Sequence, residues 1–205
     1  MQGKIFEGDY KTRCKNIDSL LCVGDTFDML KREIRLGDRH AVFYMIDGFL
    51  KGEVLEKIME FFLSLAPEDV PETYEDFLKK CTPYGDIVTV TTEQDFLHYV
   101  LSGLTGFVVE GYDEILVIDL RDYPSRSVEE PDKDKVLRGS RDGFVEAIMP
   151  NIALIRRRIR DVDLKFEIYS IGSSSRTDIS VVYMKDRVNQ KALSIIQKRL
   201  KKISV

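Results

Sequence analysis

The stretch LRGSRDGFVEAIMPNIALIRRRIRD, residues 137–161, carries six arginines in a chain of 205 residues whose formal net charge is −4. Apolar residues recur in it at three-to-four spacing, which predicts an amphipathic helix with one narrow buried stripe. The stripe consists of Phe144, Ile148, Ile152, Ile155 and Ile159. Arg156, Arg157 and Arg160 fall outside the stripe and Arg158 falls on its flank. The pattern therefore predicts a helix that presents guanidinium groups to its surroundings.

The residues after this helix complete a small α/β unit over 137–205. LKFEIYSIG and TDISVVYM are typical of strands joined by a polar loop, and the chain beyond Val188 has the apolar spacing of a helix;. Pro150 lacks an N–H group, so the first helix should kink or begin again there. The predicted order of elements is helix, strand, strand, helix.

The pattern of apolar residues over 1–120 predicts another α/β unit, which is acidic. Alternating apolar residues predict hairpins near Gly37 and Gly111 and a strand after Asp86;. The charged spacing of DMLKREIR, the first arm of the hairpin near Gly37, is also compatible with a short helix. Helical spacing predicts helices over 52–65, 71–81 and 92–103;. Thr92 with Asp95 three residues later resembles a capping box that opens the last of these helices;. The fold class is thus α/β, with two small subdomains whose mixed β-sheets are flanked by helices. Residues 121–136 hold two prolines and many charges, which predicts a linker between the subdomains;.

The two units differ in charge. Residues 1–134 contain 15 Lys and Arg against 28 Asp and Glu, a net of −13, whereas residues 135–205 contain 16 against 7, a net of +9. Net charges of opposite sign and of this size indicate two units with different neighbours, or two units that attract one another.

Several classes of protein are disfavoured. No apolar run approaches the roughly 20 residues that span a bilayer, and the first residues lack the pattern of a signal peptide;. Three cysteines without C-x-x-C spacing argue against a disulfide framework and a zinc site;. His40 and His98 stand alone, so both are interpreted as structural;. We expect no catalytic constellation, no metal and no cofactor.

The arginine-rich helix end has three interpretations. A solvated end is the simplest, since cations in the last turn oppose the negative end of the helix dipole. A docking surface is the sharper hypothesis, because arginine pairs with carboxylates through several donors and is enriched at interfaces. Nucleic acid is disfavoured by the acidity of the whole chain;.

Two polar loops offer an alternative, a site for a small ligand or anion. Gly139 to Gly143 precede the helix and form either an anion cradle or a segment in which Asp142 caps the helix;. In the loop GSSSRT, the residues Gly172, Ser173 and Arg176 are the candidate ligand contacts, although a polar loop between strands needs no ligand;.

The segment 137–161 resembles the hallmark of the GerA family, the A subunits of spore germinant receptors. The family pattern runs Gly-Pro-Arg-Asp-Gly-Phe-Val-Glu and then Arg-Thr-Asn-Ile-Ala-Leu-Ile-Arg-Arg-Arg-Ile. The matching positions here are Gly139, Arg141, Asp142, Gly143, Phe144, Val145, Glu146 and Asn151 to Ile159. Departures are Ser140 in place of the proline and Met149-Pro150 in place of Arg-Thr. The strand AVFYMIDGFL and the basic final helix also resemble the family.

The resemblance implies a non-enzymatic cytoplasmic N-terminal domain that acts in nutrient-triggered germination on the cytoplasmic face of the spore inner membrane. Its partners would be other receptor subunits and further copies of itself, with a membrane-spanning part following Val205. The family motif would then mediate contacts between subunits or domains. Its candidate interaction residues are Gly139, Arg141, Asp142, Gly143, Phe144, Asn151, Arg156, Arg157, Arg158 and Arg160.

Overall fold

A computed structural model describes residues 3–82, 86–123 and 143–203. We call residues 3–123 the first unit and residues 143–203 the second unit, after the predicted division. The helices of the first unit are α1 (Tyr10–Leu20), α2 (Gly52–Ser64), α3 (Tyr74–Cys81) and α4 (Glu93–Leu101). Its strands are β1 (Met29–Leu36), β2 (Arg39–Ile46), β3 (Ile87–Val90), β4 (Thr105–Val109) and β5 (Ile115–Ile118).

The five strands form one sheet in the order β1-β2-β4-β5-β3. Every pair is antiparallel, from Leu36 opposite Arg39 in the first hairpin to Ile87 opposite Ile118 at the other edge. The α/β class with two sheets flanked by helices is confirmed. The sheet is antiparallel and not mixed as predicted. Short hairpins permit only this direction for β1 with β2 and for β4 with β5, and the longer connections leave β2 with β4 and β3 with β5 antiparallel as well;.

Helices cover both faces of this sheet and create two cores. On one face α1 and α4 enclose apolar residues that include Ile17, Tyr44 and Phe96. On the other face α2 and α3 enclose stacked aromatic rings, with Phe107 4.4 Å from Phe43 and 5.1 Å from Phe62 between ring centroids. The sheet is therefore the middle of three layers, as expected for strands that are apolar on both sides.

Local sequence explains the ends of these elements. Thr92 caps α4 by accepting a hydrogen bond from the N–H of Asp95, as its spacing predicted;. The first hairpin turns at Gly37, whose φ of 59° lies in the left-handed region that glycine adopts without strain;. The predicted helix over 52–65 and the hairpin around Gly111 are likewise found as α2 and as β4–β5.

The second unit contains α5 (Ile148–Arg158), β6 (Leu164–Ile171), β7 (Thr177–Met184) and α6 (Gln190–Leu200). This order agrees with the predicted pattern. β6 and β7 form an antiparallel two-stranded sheet, from Leu164 opposite Met184 to Ile171 opposite Thr177. Two strands alone are marginally stable in water, so the packing of this sheet against helices decides whether it persists.

The predicted linker begins as part of the first unit. Arg121 forms an isolated bridge with Leu50, and the N–H of Asp122 donates to the carbonyl of Phe49 at 2.7 Å. Residues 124–136, the rest of the predicted linker, lie outside the described residues. The division at 120 and 137 stays a prediction.

Helix α5 of the second unit packs against the cores of both units. Its buried side is rotated about the helix axis relative to the predicted side. Its buried residues are Ile152, Ala153 and Arg156, which centre about 80° around the helix from the predicted isoleucine stripe;. Ala153 belongs to the core of the first unit, whereas Ile152 packs with Leu164 of the second. A single stripe failed to describe α5 because the helix packs on two sides.

The start of α5 also differs from one expectation. Its N-cap is Ala147 rather than Asp142, and residues 143–147 are not helical. Pro150 is the third residue of α5, where the missing N–H has no partner within the helix in any case;. The prediction that the helix begins anew near this proline is therefore confirmed. Among the described segments, none of the helices combines the length and apolarity needed to cross a membrane.

Candidate functional site: the junction between the two units

Arg156 and Asp28 form a buried ion pair between the two units. The guanidinium donates to the carboxylate of Asp28 through Nε at 2.6 Å and through Nη2 at 3.0 Å. The Arg156 and Asp28 side chains are 1% and 0% exposed. Such a pair with two parallel hydrogen bonds is the strongest geometry that arginine offers a carboxylate.

Two further hydrogen bonds bring the total from Arg156 to four of its five N–H donors;. Nη1 donates to the carbonyl of Asp161 at 2.7 Å, and Nη2 donates to the carbonyl of Leu164 at 2.9 Å. The guanidinium lies over the ring of Phe166, 5.1 Å from its centroid. A buried charge is tolerated only when its donors find partners, and here both units supply them.

A hydrogen-bonded chain extends the ion pair along β6. The hydroxyl of Thr26 donates to Asp28 at 2.7 Å and accepts from the N–H of Phe166 at 3.1 Å. The N–H of Phe27 donates to the carbonyl of Phe166 at 2.9 Å. The segment that precedes β1 thereby binds the outer edge of β6.

Close backbone packing completes the contact. Gly48 follows β2 with a φ of 82°, and a Cβ added there would lie 3.2 Å from the Cβ of Ala153. A side chain at this position would push α5 away from the first unit. We call the residues Asp28, Gly48, Ala153, Arg156 and Phe166 the junction.

The burial of Arg156 corrects the sequence-based hypothesis for this residue. The pattern predicted an outward side chain available to another polypeptide, yet the guanidinium is enclosed within its own chain. The reason is the second packing face of α5, which turns position 156 toward the first unit. Arg156 therefore cannot contact another subunit while the junction is intact.

Two of the other arginines also contact the first unit but remain exposed. Arg157 lies over the ring of Tyr123 at 4.4 Å, and Arg160 donates to the hydroxyl of Ser102 at 3.1 Å. Arg158, the last residue of α5, is exposed. Contacts of Arg157, Arg158 and Arg160 with other subunits stay a prediction.

Asn151 organises the segment before α5. Its side-chain oxygen accepts from the N–H of Val145 at 2.8 Å, and its side-chain nitrogen donates to the carbonyl of Val145 at 2.7 Å. The candidate residues Gly143 and Phe144 are exposed in this segment. Gly139, Arg141 and Asp142 lie outside the described residues.

Replacing Asn151 with alanine should lower the free energy of unfolding by about 1–3 kcal/mol, because two hydrogen bonds to Val145 are lost;. Amide hydrogen exchange should accelerate at Val145. Asn189→Ala is the matched control, since Asn189 caps α6 through the N–H groups of Lys191 and Ala192. The control should lower stability by about 1 kcal/mol without changing exchange at Val145. Unchanged exchange at Val145 in Asn151→Ala would contradict the assigned role.

The alternative ligand residues lie at the far end of β6. Gly172 and Ser173 line a cavity of about 360 Å³ together with Leu200 and Lys201 of the α6 end. Arg176 is exposed, has a φ of 43° and does not line this cavity. The structure therefore separates Arg176 from the other two candidates.

One residue of β6, Lys165, is a buried lysine. Lys165 is 1% exposed, and its Nζ has no hydrogen-bond partner among the described residues. An unpaired buried ammonium opposes folding.

Replacing Lys165 with methionine should therefore raise the free energy of unfolding by about 1–3 kcal/mol. Lys185→Met is the control: Lys185 is 54% exposed and pairs with Asp25, so its loss should change stability by less than about 1 kcal/mol;. A destabilised Lys165→Met would show that the ammonium has a partner.

Glu167 joins β6 to α6. Its carboxylate accepts from the hydroxyls of Tyr169 and Tyr183 and from the amide of Gln197. Burial alone would raise the pKa of Glu167, but these three hydrogen bonds bring the pKa below the ordinary glutamate value. Burial and the bond to Glu167 raise the pKa of Tyr183 to about 12. The cluster thus contributes stability above the unfolded pKa of Glu167, and that contribution is lost as the pH falls.

In the described parts of the chain no group of three His, Cys, Asp or Glu side chains could hold a metal ion. His40 contacts Arg35 and stacks near Tyr10, and His98 lies against Tyr99.

Sequence reasoning missed Asp28, Gly48 and Phe166. The family resemblance included Asp47-Gly48 but gave no role to the glycine, and Asp28 lies in a segment whose structure the spacing left open. One signal was available: Arg156 lies on the same side of the helix as the apolar residues Met149, Ile152 and Ala153;.

Comparison with known proteins assigns the chain to a family. The model of the family described as Bacillus/Clostridium GerA spore germination protein matches residues 17–205. Stage V sporulation protein AF of Bacillus subtilis is 34% identical over 185 residues, which are 89% of this chain and 37% of that protein. Spore germination protein KA of Bacillus subtilis is 28% identical over 188 residues, 89% of this chain and 34% of that protein. The chain thus spans about a third of the length of these relatives.

A solved structure has the same fold. The N-terminal domain of the A subunit of the Bacillus megaterium spore germinant receptor GerK3 superposes with a TM-score of 0.69 at 21% identity, over 97% of this chain and 73% of that one. The match extends across both units, so the order of elements described above is the order of a known domain. With nine tenths of its residues covered by the family model, the chain belongs to the GerA spore germination protein family.

Proposed function

We propose that this chain is a non-enzymatic interaction and signalling module of a spore germinant receptor A-type subunit, on the cytoplasmic face of the spore inner membrane. Family membership and the shared fold of a receptor A-subunit domain support the receptor role. The membrane attachment through residues past Val205 belongs to the same proposal. Its partners are other receptor subunits and further copies of the chain.

The junction is the observation that carries the signalling part of the proposal. Arg156 joins Asp28 of the first unit to the carbonyl of Leu164 in the second. Because buried, hydrogen-bonded contacts of this kind resist gradual deformation, a displacement of one unit is passed to the other. The module transmits a movement without performing chemistry.

Germination of spores that carry variants of the chain tests this function. Spores with Arg156→Met should lose most of the nutrient-triggered response, measured as the fall in optical density after nutrient addition. Lys57→Ala, at an exposed position of α2, should leave the response unchanged. Protein levels in the spore must be equal in the two strains. A normal response with Arg156→Met would reject coupling through the junction.

The exposed arginines test the contact between subunits. The variant with alanine at Arg157, Arg158 and Arg160 should assemble poorly with its receptor partners, because arginine at an interface supplies several directed hydrogen bonds. Co-purification of the full receptor measures assembly. An unchanged yield of the complex would remove these residues from the interface.

A small-ligand module is the second candidate, favoured by the cavity beside Gly172 and Ser173. A ligand at 100 times its Kd raises stability by about 2.7 kcal/mol. Melting temperatures measured with phosphate, nucleotides and nutrients would therefore reveal such a ligand. No shift with any of them would remove this candidate.

A further inference from the structure

The outer edge of β6 is only partly paired. At its start, Phe166 uses both its N–H and its carbonyl to bind Thr26 and Phe27. In an antiparallel strand, residues two apart face the same edge, so the backbone groups of Ile168 and Ser170 face outward as well. No described residue bonds the backbone groups that Ile168 and Ser170 direct to this edge.

Two neighbouring cavities lie along this unpaired edge. One cavity of about 310 Å³ is lined by residues 24–27 and 166–169, and another of about 360 Å³ by residues 169–173 with the end of α6. Tyr169 lines both cavities. We call the two cavities together the β6 groove.

The walls of the β6 groove mix apolar and polar side chains, with the carboxylates of Asp25 and Glu167 lining its near part and the cation of Lys201 lining its far end. Phe27 is 43% exposed at one end and Ile203 is 44% exposed at the other. Lys201 lines the far end and forms no ion pair with the described residues, while Asp25 at the near end is paired with Lys185. Residues 190–203 contain five Lys or Arg and no Asp or Glu. An occupant that is acidic at the far end would match this charge.

We propose that the β6 groove binds an extended segment of a partner polypeptide, antiparallel to β6, with an acidic residue beside Lys201. Strand addition at a free edge is a recurring mode of peptide binding in which main-chain hydrogen bonds supply affinity. The proposal deepens the subunit-contact part of the proposed function and rests on it. A lipid headgroup does not present the alternating donors and acceptors that Ile168 and Ser170 require.

A second copy of this chain fits the groove poorly. Antiparallel pairing of two β6 strands about Tyr169 would place Gly172 of one copy opposite Phe166 of the other, whose groups already bind Thr26 and Phe27. Only Ile168 and Ser170 could then pair. Two residues per copy give too short a ladder for a stable dimer.

Titration of the ¹⁵N-labelled chain with the peptide acetyl-Asp-Val-Thr-Val-Thr-Val-amide tests the proposal. Its acidic N-terminus lies beside Lys201 when the peptide runs antiparallel to β6. We expect the amide signals of Ile168 and Ser170 to move downfield and their hydrogen exchange to slow. Ser170→Pro removes one outward N–H and should weaken binding about tenfold, whereas Ser170→Ala keeps the N–H and should change binding by less than about twofold.

A charge exchange provides a test that leaves the backbone intact. Lys201→Glu should weaken binding of the acidic peptide. A peptide with lysine in place of aspartate should bind Lys201→Glu more tightly than it binds the unaltered chain. Equal binding by Ser170→Pro and Ser170→Ala, or shifts confined to residues outside the groove, would overturn the proposal. So would a dimer in sedimentation that Ser170→Pro dissociates, since the occupant would then be a second copy. The two proposals can fail separately. If the unaltered chain binds no peptide but Arg156→Met spores still lose the nutrient response, the peptide site in the β6 groove is rejected and the proposed function is kept.

Discussion

Replacing Arg156 with methionine should lower the free energy of unfolding by about 3–5 kcal/mol, because Asp28 is then left as an unpaired buried charge;. Methionine keeps most of the side-chain volume, so the loss reports charge pairing more than packing. Urea unfolding followed by circular dichroism measures the change, since the chain contains no tryptophan. A smaller slope of free energy against urea concentration would indicate that the second unit separates before the first unfolds.

A double-mutant cycle separates the ion pair from the rest of the junction. Asp28→Asn removes the charge and keeps an acceptor for Thr26. The double variant with Arg156→Met should regain about 2 kcal/mol relative to Arg156→Met alone, because no unpaired charge remains buried. Additive losses in the double variant would mean that Arg156 stabilises the chain through Leu164 and Asp161 rather than through Asp28.

Local patterns predicted most of the fold. Thr92 and Gly37 mark the ends of their elements with residues suited to a cap and a left-handed turn, and both positions were read correctly. The α-β-β-α order of the second unit followed from spacing alone. These signals act between residues close in sequence, where backbone geometry leaves few choices.

The junction escaped prediction because its contacts connect distant parts of the chain. Arg156 and Asp28 are 128 positions apart, and a helical pattern does not state which of two apolar sides faces a second unit. The predicted stripe is only partly buried: Ile148, Ile152 and Ile155 pack with Phe166, whereas Phe144 and Ile159 lie outside α5 and are 68% and 41% exposed. It is only one of two packing faces, so the arginine between them was assigned to solvent.

The charge asymmetry has a specific structural counterpart. Among the described residues, the ion pairs between the acidic first unit and the basic second unit are the buried pair of Asp28 with Arg156 and the exposed pair of Asp25 with Lys185 at 3.1 Å. Exposed pairs contribute little. The hypothesis that the units attract one another therefore rests mainly on the buried pair.

Gly48→Ala should lower the free energy of unfolding by about 2–4 kcal/mol, through strain at a φ of 82° and through pressure of the new Cβ on Ala153;. Gly24→Ala is a matched control, because Gly24 has a φ of 86° and no atom within 4 Å of an added Cβ. The control should lose only about 1–2 kcal/mol, the part due to backbone strain. Unfolding in urea gives both values.

The difference in free energy of unfolding between Gly48→Ala and Gly24→Ala measures the contribution of close packing between α5 and the first unit. Adding Ala153→Gly to Gly48→Ala removes the methyl group that the new Cβ meets, so the two changes should couple favourably by about 1 kcal/mol, even though glycine weakens the helix by a similar amount;. Gly48→Ala should also slow or abolish the nutrient response of spores, whereas Gly24→Ala should preserve it. If both variants lose equal stability and both germinate normally, close packing at Gly48 is unimportant, and coupling between the units must depend on Arg156 alone.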